Sequence, residues 1–157
     1  MSTKVDPVPA GYGAVTPYMV VHDAAAALEF YRRAFGAEEV MRMAMPDGRV
    51  GHAEMRVGGS MIMLCDEFPD MKAHGPRHYR GSPVSLLLYV PDVDAVTAQA
   101  VEAGATVESP VKDQFYGDRM GTLVDPFGHR WYVATHVEDV PPDELERRSK
   151  AAFQDAG

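Results

Sequence analysis

The residues best suited to chemistry in this chain sit two positions apart. His52 and Glu54 fall in Arg49–Val57, a stretch in which polar and apolar residues take turns. On a strand, that alternation puts His52, Glu54 and Arg56 on one face and Ala53, Met55 and Val57 on the other, with like-facing neighbours about 7 Å apart. Three buried ionisable groups without partners would be costly, so the polar face must meet solvent or a cavity. Three uses of the His52–Glu54 pair stay open. It can shape a pocket and orient a ligand. It can act as an acid–base couple in which the carboxylate raises imidazole basicity. It can also join a third donor, such as His22 or His136, at a metal.

Tyr116-Gly117-Asp118-Arg119 is a second candidate, placed on a long loop. The Arg119 guanidinium matches carboxylate or phosphate geometry and could clamp an anionic ligand. Equally, it could pair with Asp118 or Asp125 and hold the loop. Cys65 has no base near it in sequence and is not read as a nucleophile. His74 and His78 lie among Pro and Gly breakers and read as solvent-exposed.

The elements that must position these groups are legible from pattern. Thr16–Val21 reads as a strand, Asp23 as a helix N-cap, and Ala24, Leu28, Tyr31 and Phe35 as one apolar helical stripe ending at Gly36. Glu39–Met45, Arg49–Val57 and Ser60–Cys65 are three further strands, joined by Pro46-Asp47-Gly48 and Gly58-Gly59 turns. The same order then returns. Val84–Val90 is a strand, Pro91–Ala103 a helix stopped by Gly104, and Thr106–Val111, Arg119–Val124 and His129–Thr135 are strands. A repeat of this kind points to two βαβββ modules. The fold class is α+β, with paired curled mixed sheets around a cleft. The expected organisation is an N-terminal arm over 1–13 and a domain over 14–136, with modules about 14–66 and 83–136 and a connector over 66–82. A helical tail follows over 137–157, with its helix at Asp143–Phe153.

Bulk properties narrow the function classes. The chain has 157 residues, 46% hydrophobic and 24% charged, enough for one packed domain. A formal charge of −8 argues against a nucleic-acid partner, which needs a basic face. The longest apolar run is too short to cross a bilayer, and Met1–Pro9 lacks the look of a secretory signal. With a single cysteine, Cys65, the expected location is cytoplasmic. The second sheet faces would carry Thr16, Tyr18, His52, Glu54, Ser85, Leu87, Tyr89 and Tyr132, a mix that suits a small-molecule pocket. Methionines along the strands could supply an adaptable apolar wall.

Pro17–Gly36, Gly51–Leu64 and Tyr116–Trp131 together resemble the PhnB-like branch of the vicinal-oxygen-chelate (glyoxalase/bleomycin-resistance/dioxygenase) superfamily, over about Ala14–His136. That resemblance implies the doubled βαβββ fold, a small-molecule ligand and a homodimer. It also implies where metal-dependent members would place ligands on this chain: Thr16, Glu54, Ser85 and Tyr132. Only Glu54 of these four is a competent metal ligand, so no cofactor is expected, although a divalent metal at a non-standard site stays open. The fold does not choose the reaction. The leading expectation is a metal-independent binding protein for an aromatic or amphipathic metabolite or antibiotic. Its ligand contacts would be Tyr18, Ser85, Tyr89, Tyr116, Arg119 and Tyr132. The alternatives are an enzyme of lyase, isomerase or dioxygenase type, with His52 and Glu54 as catalytic residues, and a dimer module with no dedicated ligand. No membrane or nucleic-acid partner is expected.

Overall fold

The computed structural model describes residues 5–154, so the first four residues of the expected N-terminal arm and the last three of the expected tail lie outside it. It divides into two compact units, Met1–Ser82 and Pro83–Gly157. In the first, β1 (Tyr18–Val21), α1 (Ala24–Phe35), β2 (Glu38–Ala44), β3 (Val50–Val57) and β4 (Ser60–Asp66) follow the expected order. The sheet order is β1-β4-β3-β2, with β1 parallel to β4 and the other pairs antiparallel. Asp23 caps α1 by accepting from the Ala26 N–H at 2.9 Å, and Gly36 ends it at φ 67°, where only glycine is unstrained. Met19, Val21, Ala53, Met55 and Leu64 share the buried face of the sheet with Ala27, Leu28 and Tyr31 of the helix. Each large side chain so buried contributes about 1.5–3 kcal/mol. The opposite face carries Tyr18, Val20, His52, Glu54, Met63 and Cys65, as the alternation requires.

Asp66 belongs to β4 rather than to the connector. It is buried, and its two oxygens accept from the Ala24 and Val50 N–H groups at 2.8 and 2.6 Å, tying the helix start to the sheet. The connector itself is built, not loose. A 3₁₀ turn (Pro69–Met71) is closed by a bridge between Phe68 and Ala73, and a four-residue helix, α2 (Pro76–Tyr79), follows. Gly75 passes so close to β1 that an added Cβ would stand 3.0 Å from the Val20 carbonyl oxygen.

The second unit repeats the plan with β5 (Ser85–Tyr89), α3 (Val93–Ala103), β6 (Thr106–Asp113), β7 (Asp118–Val124) and β8 (Arg130–His136), in the order β5-β8-β7-β6. α3 starts two residues later than the expected Pro91, with Asp92 as its cap. Leu123, Trp131 and Val133 form its core face. The Asp125 turn is fastened from inside: one carboxylate oxygen accepts from the Phe127 and His129 N–H groups, the other from the Trp131 indole at 3.0 Å. The last helix, α4 (Pro142–Gln154), is held to this unit by Arg148, which donates to Glu138 and to the Phe115 carbonyl. Among the described residues no helix is long and apolar enough to cross a membrane.

Candidate functional site

The first unit gathers its chemistry on the face turned away from α1. The Tyr18 hydroxyl lies 2.8 Å from His52 Nδ1, and His52 Nε2 lies 3.2 Å from Glu54 Oε1. His52 and Glu54 are half-buried, with 22% and 17% of their side chains exposed, so the contact is neither fully screened nor sealed. The buried Tyr12 hydroxyl approaches the same carboxylate without forming a well-shaped hydrogen bond. It is nonetheless the largest influence holding the Glu54 carboxyl below its ordinary range, with His52 adding to it. Burial and the Glu54 carboxylate in turn push the Tyr12 phenol up to about 12. An ionised Glu54 only accepts, so in the neutral imidazole the His52 proton sits on Nε2, Nδ1 accepts, and Tyr18 donates.

Beside this chain lies an apolar pocket of about 410 Å³, whose walls include Tyr18, Val20, Met45, Cys65, Phe68 and Met71. That volume is at the small end of ligand pockets. The Cys65 thiol neighbours the Tyr18 hydroxyl; burial pushes both groups above their usual ranges, and their proximity raises Tyr18 further. Cys65 and Tyr12 are participants the sequence reading did not find. Cys65 reaches the site because β1 runs parallel to β4 with Val20 opposite Cys65. No local pattern states that pairing.

The second unit assembles a different set. Tyr89 donates to Asp118 Oδ2 at 2.8 Å, and the buried Asp118 also meets His136 Nδ1 at 2.7 Å. His136 Nε2 meets Asp139 at 2.8 Å. Both ring nitrogens face carboxylates, an arrangement that favours the imidazolium; Asp139 first, then Asp118, raise its pKa. Arg119 is on β7, as the strand reading Arg119–Val124 has it, and its partners are not Asp118 or Asp125. Its guanidinium grips Asp94 through two hydrogen bonds, at 2.7 and 2.9 Å, and reaches Asp113 at 3.1 Å. Tyr116 donates to the Met120 sulfur at 3.6 Å. Ser85 and Tyr132 are half-buried, Ser85 opposite Arg130 and Tyr132 opposite Leu87.

Register also corrects one expected metal position. Tyr132 stands opposite Leu87 on the parallel edge strand of its unit, just as Met63 stands opposite Tyr18. The counterpart of Tyr132 is therefore Met63, while Glu54 sits on the neighbouring β3, across from Met63. The four equivalent positions are Thr16, Met63, Ser85 and Tyr132, which offer hydroxyls and a thioether in place of imidazoles and carboxylates. Neither His22 nor His136 completes a set with His52 and Glu54, since no group of three His, Cys, Asp or Glu side chains among the described residues could hold one ion. The donor set does not fit a resident divalent metal.

Sequence comparison places this architecture. A sequence model of the Glyoxalase/Bleomycin resistance protein/Dioxygenase superfamily matches residues 13–133. The chain belongs to that superfamily. Among relatives of this superfamily member, an uncharacterized protein of Mycobacterium bovis is 42% identical over 149 residues, covering 93% of this chain and 94% of its own. The solved structure of an Arabidopsis thaliana gene product, 29% identical, superposes with a TM-score of 0.62 over 78% of this chain and 98% of that one. A PhnB protein from Bacillus cereus shares the fold at 18% identity, with a TM-score of 0.61 over 78% and 99% of the two chains. PhnB-like proteins are thus among its structural neighbours, as the quoted motifs imply.

Proposed function

We propose that this superfamily member is a metal-independent binding protein for a small aromatic or amphipathic molecule, a metabolite or an antibiotic. The observation that carries this reading is the Tyr18–His52–Glu54 chain beside the 410 Å³ apolar pocket of the first unit. An apolar wall with a few placed polar groups is what small-molecule sites require. In the second unit Ser85, Tyr116 and Tyr132 are carried forward as ligand contacts, whereas Tyr89 and Arg119 already serve Asp118, Asp94 and Asp113. A cytoplasmic homodimer is the proposed state, and light scattering tests the assembly.

Equilibrium titration against a metabolite and antibiotic panel, with and without chelator, tests the function. Binding unchanged by chelator is expected; turnover that needs added metal would contradict it. A second reading rests on the same hydrogen-bonded chain. His52 and Glu54 would then act as the acid–base couple of a metal-free lyase or isomerase, and His52→Ala would abolish turnover of a substrate found in that panel while leaving its binding within a few-fold.

A further inference from the structure

We infer that the pocket of the first unit is a ligand site in its own right, selecting an uncharged, flat, apolar molecule that presents one hydrogen-bond donor to the Tyr18 oxygen. The inference rests on the small-molecule reading above and specifies its ligand.

The shape is built rather than incidental. The connector segment that walls the pocket is pinned by paired backbone hydrogen bonds between Phe68 and Ala73, at 2.9 and 3.1 Å. The Arg49 guanidinium lies 4.5 Å over the Phe68 ring and donates to the Glu67 carbonyl, fastening the segment to the start of β3. Glu67 accepts from the Gly75 N–H at 2.7 Å and holds the far end.

The wall decides the ligand's charge. Among the described residues no Asp, Glu, Lys, Arg or His lines the pocket, so a charged ligand would lose hydration with nothing to replace it. Aromatic and thioether groups (Phe68, Met45 and Met71) favour a flat ring that can meet sulfur and ring faces.

The polar handle decides the ligand's hydrogen bond. In the neutral imidazole Glu54 accepts from His52 Nε2–H, which leaves Nδ1 as an acceptor and commits the Tyr18 O–H to it. With its proton used, the Tyr18 oxygen can only accept. The neighbouring Cys65 thiol is a weak donor and no substitute for a ligand N–H or O–H. A ligand oxygen with no proton would instead face phenol lone pairs.

Indole and benzofuran test this, because they share shape and differ in one N–H. Each is titrated at neutral pH with chelator present, and the alkylation rate of Cys65, the sole cysteine, is followed with N-ethylmaleimide. Indole is expected to bind about fivefold or more tightly than benzofuran and to slow Cys65 alkylation. In Tyr18→Phe the two should bind within about twofold of each other. Equal binding in the unaltered protein, or discrimination that survives Tyr18→Phe, overturns the donor rule while leaving the binding function standing. Indole binding with unchanged alkylation removes the ligand from this pocket and overturns the site. If neither probe binds, the inference fails, and the broader reading fails with it only when the wider panel also shows no binding.

Discussion

The two units carry polar chains that start alike and end differently. In both, a tyrosine on the parallel edge strand reaches across the sheet to a partner of a His–carboxylate pair. In the second unit both imidazole nitrogens are taken by carboxylates. Asp118 takes Tyr89 and His136, and the other nitrogen of His136 takes Asp139. In the first unit the chain stays open. Glu54 orients His52, His52 accepts a hydrogen bond from Tyr18, and the Tyr18 oxygen keeps free acceptor capacity in the wall of a pocket. One backbone plan can thus host a closed network, which fastens structure, and an open one, which can meet a ligand. What lies beside the tyrosine oxygen, a pocket wall at Tyr18 or solvent at Tyr89, separates the two roles better than residue type does.

The largest expected effect breaks the closed network. Asp118→Ala should lower unfolding free energy by about 2–3 kcal/mol in a denaturant titration, because a buried carboxylate leaves charged and hydroxyl donors behind. Glu54→Gln should cost less than about 1 kcal/mol yet change ligand affinity. Equal stability losses would erase the distinction between the units.

Titration should separate the networks by direction. The pKa of His136 is raised, so its stabilisation is complete below the unfolded imidazole value and is lost as pH rises through the folded one. The pKa of Glu54 is lowered, so its contribution is present above the unfolded carboxyl value and lost as pH falls through the folded one. Melting temperatures across mildly alkaline pH should therefore fall less in His136→Gln than in the unaltered protein. Glu54→Gln should leave that alkaline limb unchanged and flatten the acid limb.

The smallest effect concerns Arg119. Its ion pairs are exposed, so Arg119→Lys should leave the denaturation midpoint and ligand affinity nearly unchanged. A selective loss of affinity for anionic ligands would restore it as a clamp.

Much of the fold is written locally. Asp23 with Gly36 and Asp92 with Gly104 bracket the helices, and the alternation in Arg49–Val57 separates Ala53, Met55 and Val57 from His52 and Glu54, as the burial of the first three shows. The site was only half legible for a physical reason. Tyr18 and His52 could be assigned to a face, but nothing local states that their strands are placed for a 2.8 Å contact, or that Cys65 lies opposite Val20. Nearness in sequence offers Asp118 as one of two partners for Arg119, whereas the strand pairing brings it to His136. The turns inside the connector are not legible, because no periodicity marks a segment closed by a single bridge between Phe68 and Ala73.

The most direct test of an open first unit and a closed second one is a side-chain NMR titration with a panel ligand, in chelator-containing buffer. The methyl groups of Met45 and Met71 and the ring of Tyr18 are followed against the rings of Tyr89 and His136. Saturable shifts concentrated at Met45, Met71 and Tyr18, with Tyr89 and His136 unmoved, are the expected result. Shifts centred on Tyr89 and His136, or shifts that appear only after metal is added, would contradict it.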